Sequence, residues 1–154
     1  MAGTGVYIPT TMLAAGRGFS ARSDAEALTC TTSAYTTLIY DVEEQDDESA
    51  FDPATGEYVI PTTGWYLFTG KDKVAGIDTG KSVILGLFVN GTIKRNGERG
   101  YSSAAGLTGH SSIATIYYCT AGDVITLRLW HDKGADAARS NAAADNWFAG
   151  IRIG

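Results

Sequence analysis

Short runs of β-branched and aromatic residues recur along this chain, divided by clusters of Gly, Asn, Asp and Thr, and long helical periodicity is nearly absent. The runs predict strands over Gly18–Ser23, Thr36–Val42, Glu57–Ile60, Gly64–Thr69, Lys81–Val89, Thr92–Arg95, Ser112–Cys119, Asp123–Trp130 and Trp147–Ile153. Turn chemistry separates them. Asp52-Pro53-Ala54-Thr55-Gly56 offers a proline of fixed φ and a glycine that tolerates positive φ, and Asn90-Gly91 is the strongest short hairpin signal in the sequence. Eight or more strands at this spacing predict a sandwich or barrel rather than a βαβ fold. Two stretches fall outside the pattern. Met1–Gly16 reads as an extended arm, and the alanine-rich Lys133–Asp145 reads as either a turn or two of helix or a small-residue surface loop. With no internal repeat or linker, the expected organisation is an arm over residues 1–16 and one domain over residues 17–154.

A strand with one wet face should alternate apolar and polar side chains. Trp65, Tyr66, Leu67 and Phe68 do not alternate, and neither do Ile116, Tyr117, Tyr118 and Cys119, so both faces of these strands are apolar. A sandwich buries only the inner face of each sheet. The second face needs another cover, and with so little helix in the chain the expected cover is another copy of itself. A closed single-chain barrel, with aromatic side chains lying along its surface, is the alternative.

Composition narrows the function classes. Of the 154 residues, 44% are hydrophobic and 19% charged, which is globular rather than disordered. No apolar run approaches the roughly 20 residues of a membrane-spanning helix, and no basic-then-apolar signal segment opens the chain, so no membrane partner is expected. A net charge of −5 argues against a nucleic-acid partner, because affinity for phosphate comes from clustered Lys and Arg. The two cysteines, Cys30 and Cys119, cannot build a disulfide framework or a zinc site and are expected as free, buried thiols.

An enzyme should show a convergent set of titratable side chains. His110 sits in a Gly/Ser loop and His131 at a strand end beside Trp130. Ser111 next to His110 is not a triad, since adjacent side chains diverge and no orienting acid is identifiable. No G-x-S-x-G, P-loop or H-E-x-x-H motif occurs, and the expectation is a protein without catalytic residues, metal or cofactor. The acidic run Glu43, Glu44, Asp46, Asp47 and Glu48 could hold a hard cation or form a solvated loop, and it lacks the spacing of an EF-hand. Lys94, Arg95 and Arg99 form the only basic cluster, read as a solvated hairpin or as a contact with an acidic partner surface.

The run Phe51-Asp52-Pro53-Ala54-Thr55-Gly56-Glu57-Tyr58, then Pro61, then Gly64-Trp65-Tyr66-Leu67-Phe68, resembles the globular head domain of the complement family, which shares its jelly roll with the tumour necrosis factor family. Phe19-Ser20-Ala21 resembles that family's opening strand, and Ile39-Tyr40-Asp41 its next one. Val89-Asn90-Gly91 is similar to its mid-domain hairpin, Ala121-Gly122-Asp123-Val124 to the turn before its penultimate strand, and Phe148-Ala149-Gly150-Ile151 to its closing strand. The resemblance implies an all-β jelly-roll β-sandwich of about ten antiparallel strands, assembled as a compact homotrimer about a threefold axis. Carried over position by position, it implies a core signature of Phe51, Tyr58, Gly64, Tyr66, Phe68 and Tyr117, with Cys119 also inside. It implies a trimer interface of Trp65, Leu67, Thr69, Ile116, Tyr118 and Phe148.

The family's animal members carry a signal peptide and often a collagen stalk, which this sequence does not show; heads similar to this one occur in bacterial and phage virion proteins, and the missing signal disfavours a bacterial secreted binding module. The expected function is therefore that of a non-enzymatic virion structural protein. It would be a trimeric capsid decoration (cement) protein of a bacteriophage, made in the host cytoplasm. Met1–Gly16 would dock on the major capsid protein or another virion protein and so stabilise the head surface. The alternative is a receptor- or glycan-binding head of a phage fibre or tail, with Tyr101, Trp130 and Trp147 as candidate aromatic platforms.

Overall fold

The computed structural model describes residues 16–24, 28–140 and 143–154, among which there are strands and turns and no helix. The expected arm over residues 1–16 lies outside the described residues except for Gly16. The strands are β1 (Gly18–Arg22), β2 (Thr29–Cys30), β3 (Thr36–Thr37), β4 (Val42–Asp46), β5 (Phe51–Asp52), β6 (Glu57–Val59), β7 (Gly64–Ile77), β8 (Ser82–Val89), β9 (Thr92–Tyr101), β10 (Leu107–Cys119), β11 (Val124–His131), β12 (Ala137–Ala138) and β13 (Trp147–Arg152). One antiparallel sheet has the order β10-β7-β13-β1-β4, and the other the order β5-β6-β11-β8-β9, with β3 also on β11. β12 pairs with β2 in a two-stranded ribbon. The first and last long strands are neighbours, Phe19 lying opposite Gly150, so the sheets close only when both ends of the domain are in place.

Local chemistry fixes the turns. Asn90 and Gly91 take φ of 50° and 75°, the pair of positive values a two-residue hairpin needs, and join β8 to β9. At the other predicted turn, Asp52 Oδ1 accepts from Ala54 N at 2.8 Å and the Asp52 carbonyl from Gly56 N at 2.8 Å. Gly56 closes it at φ 71°, where an added Cβ would lie 2.1 Å from the Leu38 carbonyl oxygen. Gly56→Ala should therefore cost more than about 2 kcal/mol, since strain and a backbone clash add, whereas Gly91→Ala should cost about 1 kcal/mol. At Gly91 an added Cβ meets nothing nearer than Arg128 Nη2 at 4.0 Å. Urea denaturation of the two variants reads the difference; equal costs would contradict the tight fit at Gly56.

Three sequence expectations change. Thr36–Val42 is not one strand: pairing with β11 ends at Leu38, whose N–H donates to the Leu127 carbonyl at 3.0 Å, and the chain then leaves the ladder while keeping Leu38 and Tyr40 fully buried. The acidic run is not a loop, because Val42–Asp46 pairs with β1 as an edge strand. Charged, outward side chains suit an edge, where they discourage pairing with another chain. The carboxylate of Asp46 accepts from the amides of Glu48, Ala50 and Phe51, so it organises the turn that follows. The alanine-rich stretch contributes the two residues of β12, and its described residues contain no helix.

Between the sheets, the Phe19 ring stacks on Phe51 at 4.9 Å and on Tyr58 at 4.2 Å, with Phe148 edge-on at 4.8 Å. Tyr66, Phe68, Leu85, Leu87, Leu127 and Leu129 complete the centre of this core. β7 continues well past Thr69 because its inner face changes chemistry rather than ending. Asp72 points inward with no exposure, and the Arg139 guanidinium meets it with two N–H donors, Nε to Oδ1 at 3.0 Å and Nη2 to Oδ2. The same guanidinium donates to the Ile39 carbonyl and lies 4.8 Å from the centre of the Tyr40 ring. A hydrophobic pattern cannot show a strand whose core position is an ion pair.

Candidate functional site

The outer face of the β7 sheet is assembled from three strands. Side chains directly opposite one another in an antiparallel ladder share a face. Trp65 lies opposite Tyr118, Leu67 opposite both Ile116 and Ile151, and Thr69 opposite both Ala114 and Ala149. Trp65, Ile116 and Tyr118 are about half exposed, at 51%, 51% and 50%, and Ile151 and Ile153 keep 39% and 45% of their surface in water. Trp65 and Tyr118 meet edge to face at 5.3 Å, so the largest members of the patch already hold one another in place. Leu67 and Thr69 are half-buried, and small residues beside them (Gly18, Ser20, Ala149) leave a shallow groove of about 210 Å³ across the sheet. Covering each of the five half-exposed side chains would contribute about 1 kcal/mol.

One residue assigned to this face by resemblance does not belong to it. Phe148 is fully buried. It lies opposite Gly70 on one side and Ala21 on the other, and the space above Gly70 is filled by Leu127 of the second sheet. Its parity therefore turns it inward, and its neighbours Trp147 and Ala149 face out. Phe51, Tyr58, Gly64, Tyr66, Phe68 and Cys119 are buried, and the Tyr66 hydroxyl donates to the Thr62 carbonyl at 2.7 Å. Tyr117 is half-buried and packs against the core with the Arg95 guanidinium 5.4 Å from its ring centre. Ile151 and Ile153 are the members the sequence reading missed. The signal was the two-residue alternation of Trp147, Ala149, Ile151 and Ile153 in the closing strand.

A charged rim bounds the patch at its far end. Lys71 and Lys73 both reach Asp145, each ammonium at 2.7 Å, and these hydrogen bonds hold the Asp145 carboxyl down at about 2. On the β1 side, Glu44 accepts from Ser20 Oγ at 2.9 Å and pairs with Arg22 Nε at 3.0 Å.

The outer face of the opposite sheet is treated differently. Every residue of β8 is buried, on both faces. Tyr35 crosses Gly86, stacks edge-on against Phe88 at 5.0 Å and donates to Asn96 Oδ1 at 2.7 Å. Arg128 lies 4.4 Å over Phe88, and Arg99 lies 5.4 Å over Trp130. Among the described residues, one apolar sheet face is covered by side chains of the same chain and the other is not.

The remaining chemistry candidates are occupied structurally. Ser111 Oγ accepts from Leu85 N at 2.9 Å and donates to the Glu98 carbonyl, which ties β10 to β8 and β9, while His110 is exposed beside it. His131 is fully buried, with Nε2 2.9 Å from the Cys30 carbonyl and Nδ1 accepting from Lys133 N at 3.4 Å. Cys30 and Cys119 are free, and burial pushes both thiols up to about 12. Among the described residues no three His, Cys, Asp or Glu side chains come close enough to hold a metal ion. Tyr101 is 67% exposed, whereas Trp130 and Trp147 are half-buried.

No family model matches the chain, and no curated protein matches it in sequence. Solved structures do resemble it. The globular domain of zebrafish complement 1qA is 14% identical over 90% of this chain and 98% of its own, with a TM-score of 0.65. Murine APRIL is 13% identical over 89% and 98%, with a TM-score of 0.63. The Eiger TNF of S. frugiperda is 12% identical over 91% and 94%, with a TM-score of 0.63. At these identities the likeness concerns the fold alone, and that fold is the jelly roll of the tumour necrosis factor and complement globular heads.

Proposed function

We propose that the chain is a non-enzymatic structural protein that forms a homotrimer through the outer face of the β7 sheet, and that this trimer decorates a bacteriophage capsid. The observation that carries the self-association is the apolar patch of Trp65, Ile116, Tyr118, Ile151 and Ile153, left open on a protein that covers its other sheet with its own residues. Such a patch on one sheet face favours burial against further copies, and a closed ring satisfies every copy equally. Three copies follow from the family resemblance. Against catalysis stand the buried, hydrogen-bonded states of Ser111 and His131. The virion assignment rests on the expectation that jelly-roll heads of this kind occur in virion proteins, and a trimer formed through the β7 sheet would leave the second sheet turned outward.

Immunogold labelling of particles from the source that carries the gene tests the virion reading. Label spread over capsid heads is the expected result. Label confined to fibre or tail tips, or particles without label, would overturn it.

A further inference from the structure

We propose that a cleft where β9 meets β10 binds an acidic saccharide unit, a pyranose carrying a carboxylate. The cleft measures about 310 Å³ and is walled by Glu98, Arg99, Tyr101, Ser103, Thr108 and His110. That volume is at the lower end for ligand sites, room for one sugar ring rather than a peptide or a large cofactor.

Arg99 supplies the charge. Its Nη1 donates to Ser82 Oγ at 2.9 Å and its guanidinium stacks over Trp130, so two contacts fix its plane. Among the described residues no carboxylate lies within ion-pair distance of it, although the chain has 17 acidic residues against 12 basic ones. A guanidinium held by stacking and one hydrogen bond keeps further N–H donors in the fork that matches a carboxylate. The Arg99 charge in the cleft wall favours an anion over a neutral sugar.

Tyr101 supplies the platform. It is the most exposed large hydrophobic side chain among the described residues, at 67%, and a flat ring of this kind accepts the apolar face of a pyranose. Ser103, Thr108 and His110 are all exposed and offer hydroxyl and imidazole partners for sugar hydroxyls, and Glu98 offers an acceptor. A simple phosphate would use the arginine and the hydroxyls but not the ring. The cleft is also preformed. At Gly100 an added Cβ would lie 1.9 Å from the His110 carbonyl oxygen, and Ser111 Oγ ties the same two strands one position on. Nine residue steps along β10 lead from Gly109 to Tyr118, about 30 Å at 3.4 Å per residue, so the cleft is remote from the Trp65–Tyr118 patch and does not rest on the trimer.

Saturation-transfer NMR on the full chain tests the proposal, with the methyl glycosides of N-acetylneuraminic acid and of glucuronic acid as probes and methyl galactoside as the neutral control. Transfer to at least one acid at millimolar concentration, and none to the neutral sugar, is expected. Signal from neuraminic acid alone assigns a carboxylate on the anomeric carbon, and from glucuronic acid alone one at ring carbon five. Arg99→Ala and Tyr101→Ala, both at exposed positions, should each weaken binding about tenfold, a loss of about 1.4 kcal/mol. Absence of transfer from either acid, equal transfer from methyl galactoside, or unchanged binding in both variants would overturn the proposal.

Discussion

Trp65→Glu is expected to convert the proposed trimer into folded monomers. Within one chain position 65 is half in water and points away from the core, so a glutamate there costs the isolated jelly roll little. In the proposed trimer the same carboxylate would lie against the apolar surface of Tyr118, Ile116 and their copies. The guanidinium nearest position 65, that of Arg152, is turned to the other side of the strand and donates to the Thr63 carbonyl at 3.3 Å, while Lys71 and Lys73 lie six and eight positions along β7, about 20 Å or more away, and are paired with Asp145. A buried charge without a partner costs several kcal/mol, and a threefold assembly meets that cost in every copy. Light scattering should show the mass of one chain with an unchanged β-type circular dichroism spectrum. Thr92→Glu, at the exposed start of β9, should leave the assembly intact. A Trp65→Glu protein that kept its assembly would place the interface elsewhere.

The second large effect concerns the interior. Asp72→Ala should destabilise the fold by about 3–5 kcal/mol, because it leaves the Arg139 guanidinium buried and short of its carboxylate. Both side chains have no exposure, and the remaining contacts, the Ile39 carbonyl and the Tyr40 ring, cannot neutralise a full charge. A loss of that size is a large fraction of the roughly 5–15 kcal/mol that holds a domain together. The double variant Asp72→Leu, Arg139→Met removes both charges at similar volume and should recover most of the loss. Urea denaturation at one fixed protein concentration measures all three forms, since self-association adds to apparent stability. A cost below about 1 kcal/mol for Asp72→Ala would mean that water reaches the pair.

Most strands were legible from β-branched runs and turn residues, and Asn90-Gly91 from its dipeptide alone. What was not legible depended on partners distant in sequence. The second half of β7 carries Gly70 and Asp72 on its inner face, and the residues that make those positions acceptable are Leu127 and Arg139. The first part of β10 is hidden in the same way, because Gly109 faces inward where Val83 and Ile77 leave no space for a side chain. The edge strand Val42–Asp46 looks like a solvated loop until β1 pairs with it. Phe148 illustrates the cost of parity in a strand, where a one-residue shift exchanges the two faces. That both faces of Trp65–Phe68 are apolar is written in the sequence, while the contribution of Ile151 required the register that sets it opposite Leu67. The β9–β10 cleft was out of reach, since Arg99 and Trp130 meet only once β9 and β11 flank β8.

The most direct measurement is the solution mass of the purified chain by light scattering coupled to size exclusion. A mass of about 49 kDa, three copies of the 16.2 kDa chain, is the expected result. A mass near 16.2 kDa across the concentration range would contradict it, leaving Trp65, Ile116 and Tyr118 in water and the proposed trimer without a basis.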